Sequence, residues 1–434
     1  MENTPSIQRE LKHIYYMSKV VCLAPYSFSR NCVVCKTVIN TRLRSNVTGF
    51  VWTLFMSNVM VFGLISGIYR YKNVGQSNPG IALNNSFCFP MNFVNAVFSF
   101  TVLFMKRFKF AELIEKLSQI DNTLCQMKLC NYTKCKNYFV YFMYAVCILL
   151  AMFMCYDILQ VEERRYFVYT SLYRLAYLIS VVLIMQFCHV TRCIQQRLIL
   201  LRKEMSSVLD NTPSMILTST VKPTSFERVD KFELSCVTSL ISENPVDDSG
   251  NKYQSSPRNL LLHGKLYQVD KIITFRQIYN NIYDATQLIN SVYGFLILLL
   301  FVRAAGGLIT NIYHLVSITL SGVVVLGIEN WDSPLHVGSL VAWILIFLST
   351  IIVMTVMCQR VMSECKKIDD IIQKLLLQQS LRYDMLQQLK LFSVQITKNQ
   401  IEFSAFCFFK VDMSLLFTIL TSVTSYIIVL VQFK

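Results

Sequence analysis

The stretch Val411–Phe433 reads VDMSLLFTILTSVTSYIIVLVQF. Beyond Asp412 it carries no charge, and as a helix it is long enough to cross a hydrocarbon core of about 30 Å, which takes roughly 20 apolar residues. Wound at about 100° per residue, it brings Ser414, Thr418, Thr421, Ser425 and Gln432 onto one face, with only Ile428 interrupting the polar stripe. The other faces are apolar. A helix oily on three sides and hydroxylated on the fourth suits a wall between lipid or protein and water, which is what a channel asks of its lining segment. Small hydroxylated residues equally suit close packing against neighbouring helices, so the stripe alone leaves both readings open.

Six similar stretches precede it: Val47–Tyr69, Phe87–Met105, Phe139–Leu159, Tyr166–His189, Val292–Leu320 and Gly338–Cys358. Hydrophobic residues make up 54% of the 434-residue chain and charged ones 15%, the balance of a membrane protein rather than a soluble domain. The expected fold is an all-α membrane protein with seven transmembrane helices. The first apolar stretch follows a long polar, basic segment, so no cleavable signal peptide is expected and the first span should act as its own insertion signal.

The net charge of +15 is explained by its distribution rather than by nucleic acid, which is not an expected partner. Nearly all of the 41 Lys and Arg residues fall in alternate segments: before the first span and in the second, fourth and sixth loops. That asymmetry places the amino terminus in the cytoplasm and, after seven spans, the carboxyl terminus outside. The expected segments are a cytoplasmic 1–46, spans one to four over 47–190, and a cytoplasmic loop 191–291. Spans five and six follow over 292–358, then cytoplasmic anchor helices over 359–410 and the last span over 411–434. This orientation is opposite to that of a G-protein-coupled receptor, and the chain has neither a DRY-like triplet after its third span nor NPxxY in its seventh.

Of 15 cysteines only Cys88 lies near an external loop, so the thiols are expected to face cytosol or lipid. Cys32 and Cys35 form a lone CxxC, and Cys125, Cys130 and Cys135 recur every five residues, but four metal ligands do not assemble and no metal or cofactor is expected. Of the sequons at Asn46, Asn84 and Asn131, only Asn84 faces the glycosylating compartment in this topology. Residues 206–263 turn rich in Ser, Thr, Asn, Asp and Pro and read as a disordered cytoplasmic insertion. On either side a helical period resumes, over Leu266–Ile289 and over Val361–Phe392, which predicts amphipathic helices bundled in the cytosol.

At the carboxyl end the chain resembles the insect gustatory receptors, whose signature is Thr-Tyr, five apolar residues, then Gln-Phe. Here it reads Ser425-Tyr426-Ile427-Ile428-Val429-Leu430-Val431-Gln432-Phe433, with Ser in place of Thr, and Cys407 stands where the preceding family block commonly has Gly. The resemblance implies a tastant-gated, non-selective cation channel of the plasma membrane. It implies a homotetramer, or a heterotetramer with related receptors, whose seventh spans surround a pore and whose cytoplasmic helices form an anchor. Carried onto this chain, the gate is Gln432, with Ile428 and Ser425 one and two turns below and Thr421, Thr418 and Ser414 continuing the stripe. Tyr426 lies off the stripe and is expected to pack against a neighbouring helix.

Charged residues inside spans face an aqueous cavity or a partner. Arg174 lies in the fourth span among Tyr166, Tyr169, Tyr173 and Tyr177, near Asp157 at the end of the third; Arg303 lies deeper, in the fifth. Asn311 and His314 follow outward, and Trp331 stands in the next external loop. Aromatic faces with a few donors and acceptors suit a small tastant, a bitter or other plant-derived compound or else a fructose-type sugar. Aromatic belts are also ordinary at membrane surfaces and lipid contacts, and Arg174 with Asp157 equally makes a structural ion pair. The chain has no internal repeat that would mark a transporter. It also has no clustered nucleophile, base and metal ligands that would mark an enzyme; His189 and His263 have no catalytic neighbour. A receptor that signals through a partner remains distinguishable only by recording.

Overall fold

The computed structural model describes residues 15–19, 21, 23, 26–28, 43–45, 47–73, 88–127, 148, 152, 155, 164–211, 257–321, 334–377 and 383–432. Its principal elements are helices: α1 (Val47–Asn73), α2 (Phe89–Met105), α3 (Arg107–Gln126), α4 (Arg164–Asn211), α5 (Pro257–Ser321), α6 (Pro334–Leu376), α7 (Tyr383–Lys398) and α8 (Met413–Gln432). Two short antiparallel ribbons join them, β1 (Tyr26–Phe28) with β2 (Leu43–Ser45) and β3 (Ser404–Ala405) with β4 (Phe409–Lys410). Helices α1, α4, α5, α6 and α8 are each long and apolar enough to cross a membrane, and α2 with α3 makes a sixth such unit bent by 64°. The stretch Phe139–Leu159, read as the third span, lies outside the described residues except at three isolated positions, and Asn84 lies outside them altogether.

The bend between α2 and α3 falls where the sequence turns from apolar to basic. Arg107 donates to the Phe104 carbonyl at 3.1 Å and lays its guanidinium 4.2 Å from the Phe104 ring and 4.7 Å from the Phe108 ring. A basic side chain at the edge of an apolar layer keeps its head in polar surroundings, and beyond it α3 runs off against α5. Lys109 reaches Ser291 at 2.8 Å and Lys116 pairs with Asp284 at 3.1 Å.

Three helices are far longer than a bilayer needs. With 48, 65 and 43 residues, α4, α5 and α6 extend for about 72, 98 and 65 Å at 1.5 Å per residue. The apolar period over Leu266–Ile289 is therefore the lower half of α5 rather than a separate helix, and that over Val361–Phe392 is divided between the end of α6 and α7. Helix α4 continues to Asn211 and α5 starts at Pro257, so both ends of the stretch read as disordered, 206–211 and 257–263, are helical; the rest of it lies outside the described residues. The extension follows from a buried face that does not stop at the membrane: on α4, Ile194, Leu198, Leu201, Met205 and Val208 recur at three- and four-residue steps, all buried.

These extensions pack against one another and against α7, where the anchor is expected. Ile272, Phe275, Ile278, Tyr279 and Ile282 of α5 meet Val361, Cys365, Ile368, Ile372 and Leu375 of α6 and Met385, Leu389, Phe392 and Ile396 of α7 in one buried cluster. Around that core the polar contacts are specific. Arg276 reaches Gln388 at 2.6 Å and Gln395 at 3.3 Å, Arg202 pairs with Glu364 at 2.7 Å, and Lys271 pairs with Glu204. Arg197 of α4 is fully buried and pairs with Asp121 of α3 at 2.6 Å while also donating to the Cys193 carbonyl at 2.7 Å. Cys125 is disulfide-bonded, to a partner outside the described residues, which corrects the expectation of free thiols throughout.

Among the membrane helices, α1 touches the bundle along a Gly63-x-x-x-Gly67 stripe. A Cβ on Gly63 would stand 2.4 Å from the Phe93 ring, and one on Gly67 would stand 2.9 Å from the Tyr169 ring, so these positions let α1 approach α2 and α4. Gly63→Val is expected to cost about 1–3 kcal/mol through forced displacement of Phe93. A lower unfolding midpoint of the purified protein, with Ile65→Val on the exposed face of the same helix as control, checks it.

Between α7 and α8 the chain folds back through the β3–β4 ribbon. Its turn places Phe406 and Cys407 at φ 53° and 62°, with Phe408 N donating to the Ala405 carbonyl at 3.0 Å. Asn290 of α5 holds the ribbon's approach, donating to the Glu402 carbonyl at 2.8 Å and accepting from Ser404 N at 3.2 Å. The glycine that resemblance places at Cys407 thus corresponds to a left-handed backbone position, where a Cβ is strained. Cys407→Gly is expected to raise stability by about 0.5–1 kcal/mol, the relieved strain exceeding glycine's extra chain entropy, as a higher unfolding midpoint would show. After the ribbon, Asp412 caps α8 by accepting from Leu415 N at 3.0 Å.

Candidate functional site

Two places gather the side chains singled out as candidates: the end of the bundle remote from the extensions of α4, α5 and α6, and the exposed face of α8. At the remote end the early turns of α2, α4 and α6 meet the late turns of α5. Tyr169, Tyr173 and Tyr177, spaced four residues apart on α4, are all buried. Phe89 of α2 lies 5.4 Å from Tyr169 and 4.5 Å from Tyr173, centroid to centroid, and Tyr177 packs edge-on to Trp343 at 4.9 Å and Phe347 at 6.0 Å of α6. Arg174 is half-buried, with its guanidinium 4.5 Å from the Trp343 ring and 5.2 Å from the Tyr173 ring. Arg303 is buried with its guanidinium 4.7 Å from the Tyr177 ring. The structure therefore brings Tyr173, Arg174, Tyr177 and Arg303 together around one aromatic cluster.

A vein of buried polar groups runs down α2 beside them. Arg303 donates to Asn92 Oδ1 at 3.0 Å, Asn92 donates to the Cys88 carbonyl at 2.9 Å, and Cys88 Sγ shares a hydrogen bond with Thr310 at 3.1 Å. Lower down, Asn95 donates to Ser180 of α4 at 2.7 Å. Sequence reasoning picked out Arg303 but missed Asn92, Asn95 and Ser180. Asn92, Asn95 and Ser99 recur three and four residues apart inside an apolar span, the same signal that marked the last span, and applying that test to the second span would have found them. Trp343 and Phe347 carried no such signal, because aromatic residues at helical spacing look like ordinary core.

Two further expected ligand contacts lie on the late turns of α5. Asn311 is half-buried and donates to the Gly307 carbonyl of its own helix at 2.6 Å, and His314 lies a turn further out. Asp157 and Trp331 lie outside the described residues.

Helix α8 is bound to its own chain along one edge only. Leu416 and Val423 are buried against α5 and α6, while Ser414, Thr418, Thr421, Ser425, Ile428 and Gln432 are all exposed. An open groove of about 660 Å³ on this face is lined by Ser414, Phe417, Thr418, Thr421 and Ser422. The hydroxyls are oriented: Thr418 donates to the Ser414 carbonyl at 3.0 Å, Thr421 to Phe417 at 2.9 Å and Ser425 to Thr421 at 3.0 Å. Each proton is committed to the helix's own backbone, so each oxygen is left with lone pairs to offer outward as an acceptor. Tyr426 is 62% exposed, so the packing expected for it is not made within its own chain. Phe433 lies outside the described residues.

The structure is a multi-pass helical bundle that gathers buried aromatic and cationic side chains at one end. The chain belongs to the 7tm chemosensory receptor family, whose model matches residues 11–434. It is thus a multi-pass protein of the plasma membrane in a family of receptors, not of enzymes. Its structure is similar to that of the insect olfactory receptor OR5 from Machilis hrabei, with a TM-score of 0.63 and 10% identity over 99% of each chain. It is also similar to that receptor in complex with eugenol, with a TM-score of 0.60 and 11% identity over 98% of each chain. At this identity the likeness is one of fold. No sequence among curated proteins matches it.

Proposed function

We propose that this protein is a gustatory receptor acting as a tastant-gated, non-selective cation channel, assembled as a tetramer with α8 of each subunit facing a central pore. The observation that carries this reading is the exposure of the whole polar stripe on α8. Four copies of that face, brought together, make rings of hydroxyl and amide groups that present acceptor oxygens without fixed charge. Such rings hydrate and weakly coordinate cations without binding them tightly. Gln432, with Ile428 and Ser425 below it, forms the gate at the outer end.

The tastant binds at the aromatic and cationic cluster around Tyr177. That a receptor of this fold has been solved in complex with eugenol supports a small-molecule ligand at such a receptor, and we assign a plant-derived compound to this chain. Excised-patch recording from cells expressing this chain alone, with plant compounds and sugars applied to the outer face without nucleotides, tests the function. The expected result is rapid cation current whose selectivity or open probability changes in Gln432→Ala. Response in intact cells but not in excised patches would instead establish signalling through a partner.

A further inference from the structure

Arg303 is 2% exposed and its guanidinium is only partly satisfied. Nη1 donates to Asn92, while Nε and Nη2 are buried without a hydrogen-bond partner. The Tyr177 hydroxyl, beside Arg303, is likewise buried without a hydrogen-bond partner. Among the described residues no carboxylate lies within ion-pair distance of Arg303. A cation inside a membrane span that has lost its water and gained no counter-charge is costly, and such residues ordinarily meet a partner. Buried donors left unused require an explanation, and a bound ligand is one.

The geometry narrows the ligand. Nε and Nη2 are the side-on pair of the guanidinium fork, whose two parallel N–H groups match the two oxygens of a carboxylate, and Lys or a neutral amide offers no such match. Asn92 holds the third nitrogen and so sets the plane in which that pair lies. The rings of Tyr177 and Phe347, 4.7 and 5.7 Å from the guanidinium carbon, and Trp343 beyond them provide apolar and aromatic surface for the remainder of the molecule. We infer that Arg303 and the Tyr177 hydroxyl form an anion-recognition site for the carboxylate of a small organic acid with an apolar or aromatic body. This inference rests on the reading of that cluster as the ligand site and names the ligand's class.

Thermal unfolding of the purified full-length receptor tests it without requiring current. The probes are benzoate, cinnamate, acetate and bicarbonate, each organic acid beside its neutral amide, at constant chloride and ionic strength. Benzoate or cinnamate is expected to raise the unfolding midpoint by several degrees at millimolar concentration, with little effect from the amides. Arg303→Gln abolishes the shift, and Arg303→Lys, which keeps the charge but not the fork, weakens it by about 10-fold or more in concentration. Tyr177→Phe, which removes only the hydroxyl, weakens it too and serves if neither Arg303 variant folds. An equal shift from bicarbonate would overturn the assignment to an organic acid in favour of a small-anion site. No shift from any carboxylate, or a shift unchanged in the variants, would overturn the site itself. Stabilisation without current in patches would count against the channel reading alone.

Discussion

Replacing Arg197 with Met, with Asp121 left in place, is expected to destabilise the receptor by about 3–5 kcal/mol and to remove most of it from the cell surface. Arg197 is fully buried and bonded to Asp121 at 2.6 Å, where α4 leaves the membrane and meets α3. Removing the cation strands a carboxylate whose side chain is only 12% exposed. The loss is then the cost of an uncompensated buried charge rather than the worth of the pair. A loss of this size is a large fraction of a domain's net stability. The double variant Arg197→Met with Asp121→Leu separates the two, because apolar residues of similar volume repair a buried pair and surface expression should largely return. If the double variant is as poor as the single one, the ion pair is not the source of the effect.

The second large effect falls in the anchor. Phe392 of α7 is fully buried and packs edge-on to Tyr279 of α5, their centroids 5.8 Å apart. Phe392→Ala is expected to cost about 3–5 kcal/mol, the lost transfer energy plus the cavity that long, rigid helices cannot close. Phe392→Leu, which keeps most of the volume, should cost under about 1.5 kcal/mol. Unfolding midpoints of the purified variants check the order. Val394 is exposed on the same helix, and an equal loss from Val394→Ala would show that the anchor responds to any truncation rather than to this cavity.

The order of the helices was legible because water and lipid impose it. Apolar runs of membrane length and the alternation of Lys and Arg are one-dimensional signals, and five of the expected spans coincide with helices of the structure that can each cross a membrane. Their true lengths were less legible. The polar, anchor-facing turns of α4, α5 and α6 contain too many charges to read as continuous with the spans, yet their buried faces continue unbroken because another helix, not lipid, covers them. The stripe on α8 was visible at once, since a single helix carries all of it. The aromatic and cationic cluster was half visible: Tyr173, Arg174, Tyr177 and Arg303 stood out as polar or aromatic residues in spans, but Asn92, Trp343 and Phe347 join them only across helices.

Composition, periodicity and charge were thus enough for a membrane bundle with a hydroxylated last helix, since each follows from how single segments partition between water and lipid. Packing alone decided that Arg303 gives one nitrogen to Asn92 and leaves its side-on pair unused beside Tyr177. Packing also decided that Arg197 is buried on Asp121. Those outcomes depend on which helix faces stand opposite one another, and residues far apart in the chain carry no mark of that until the helices pack.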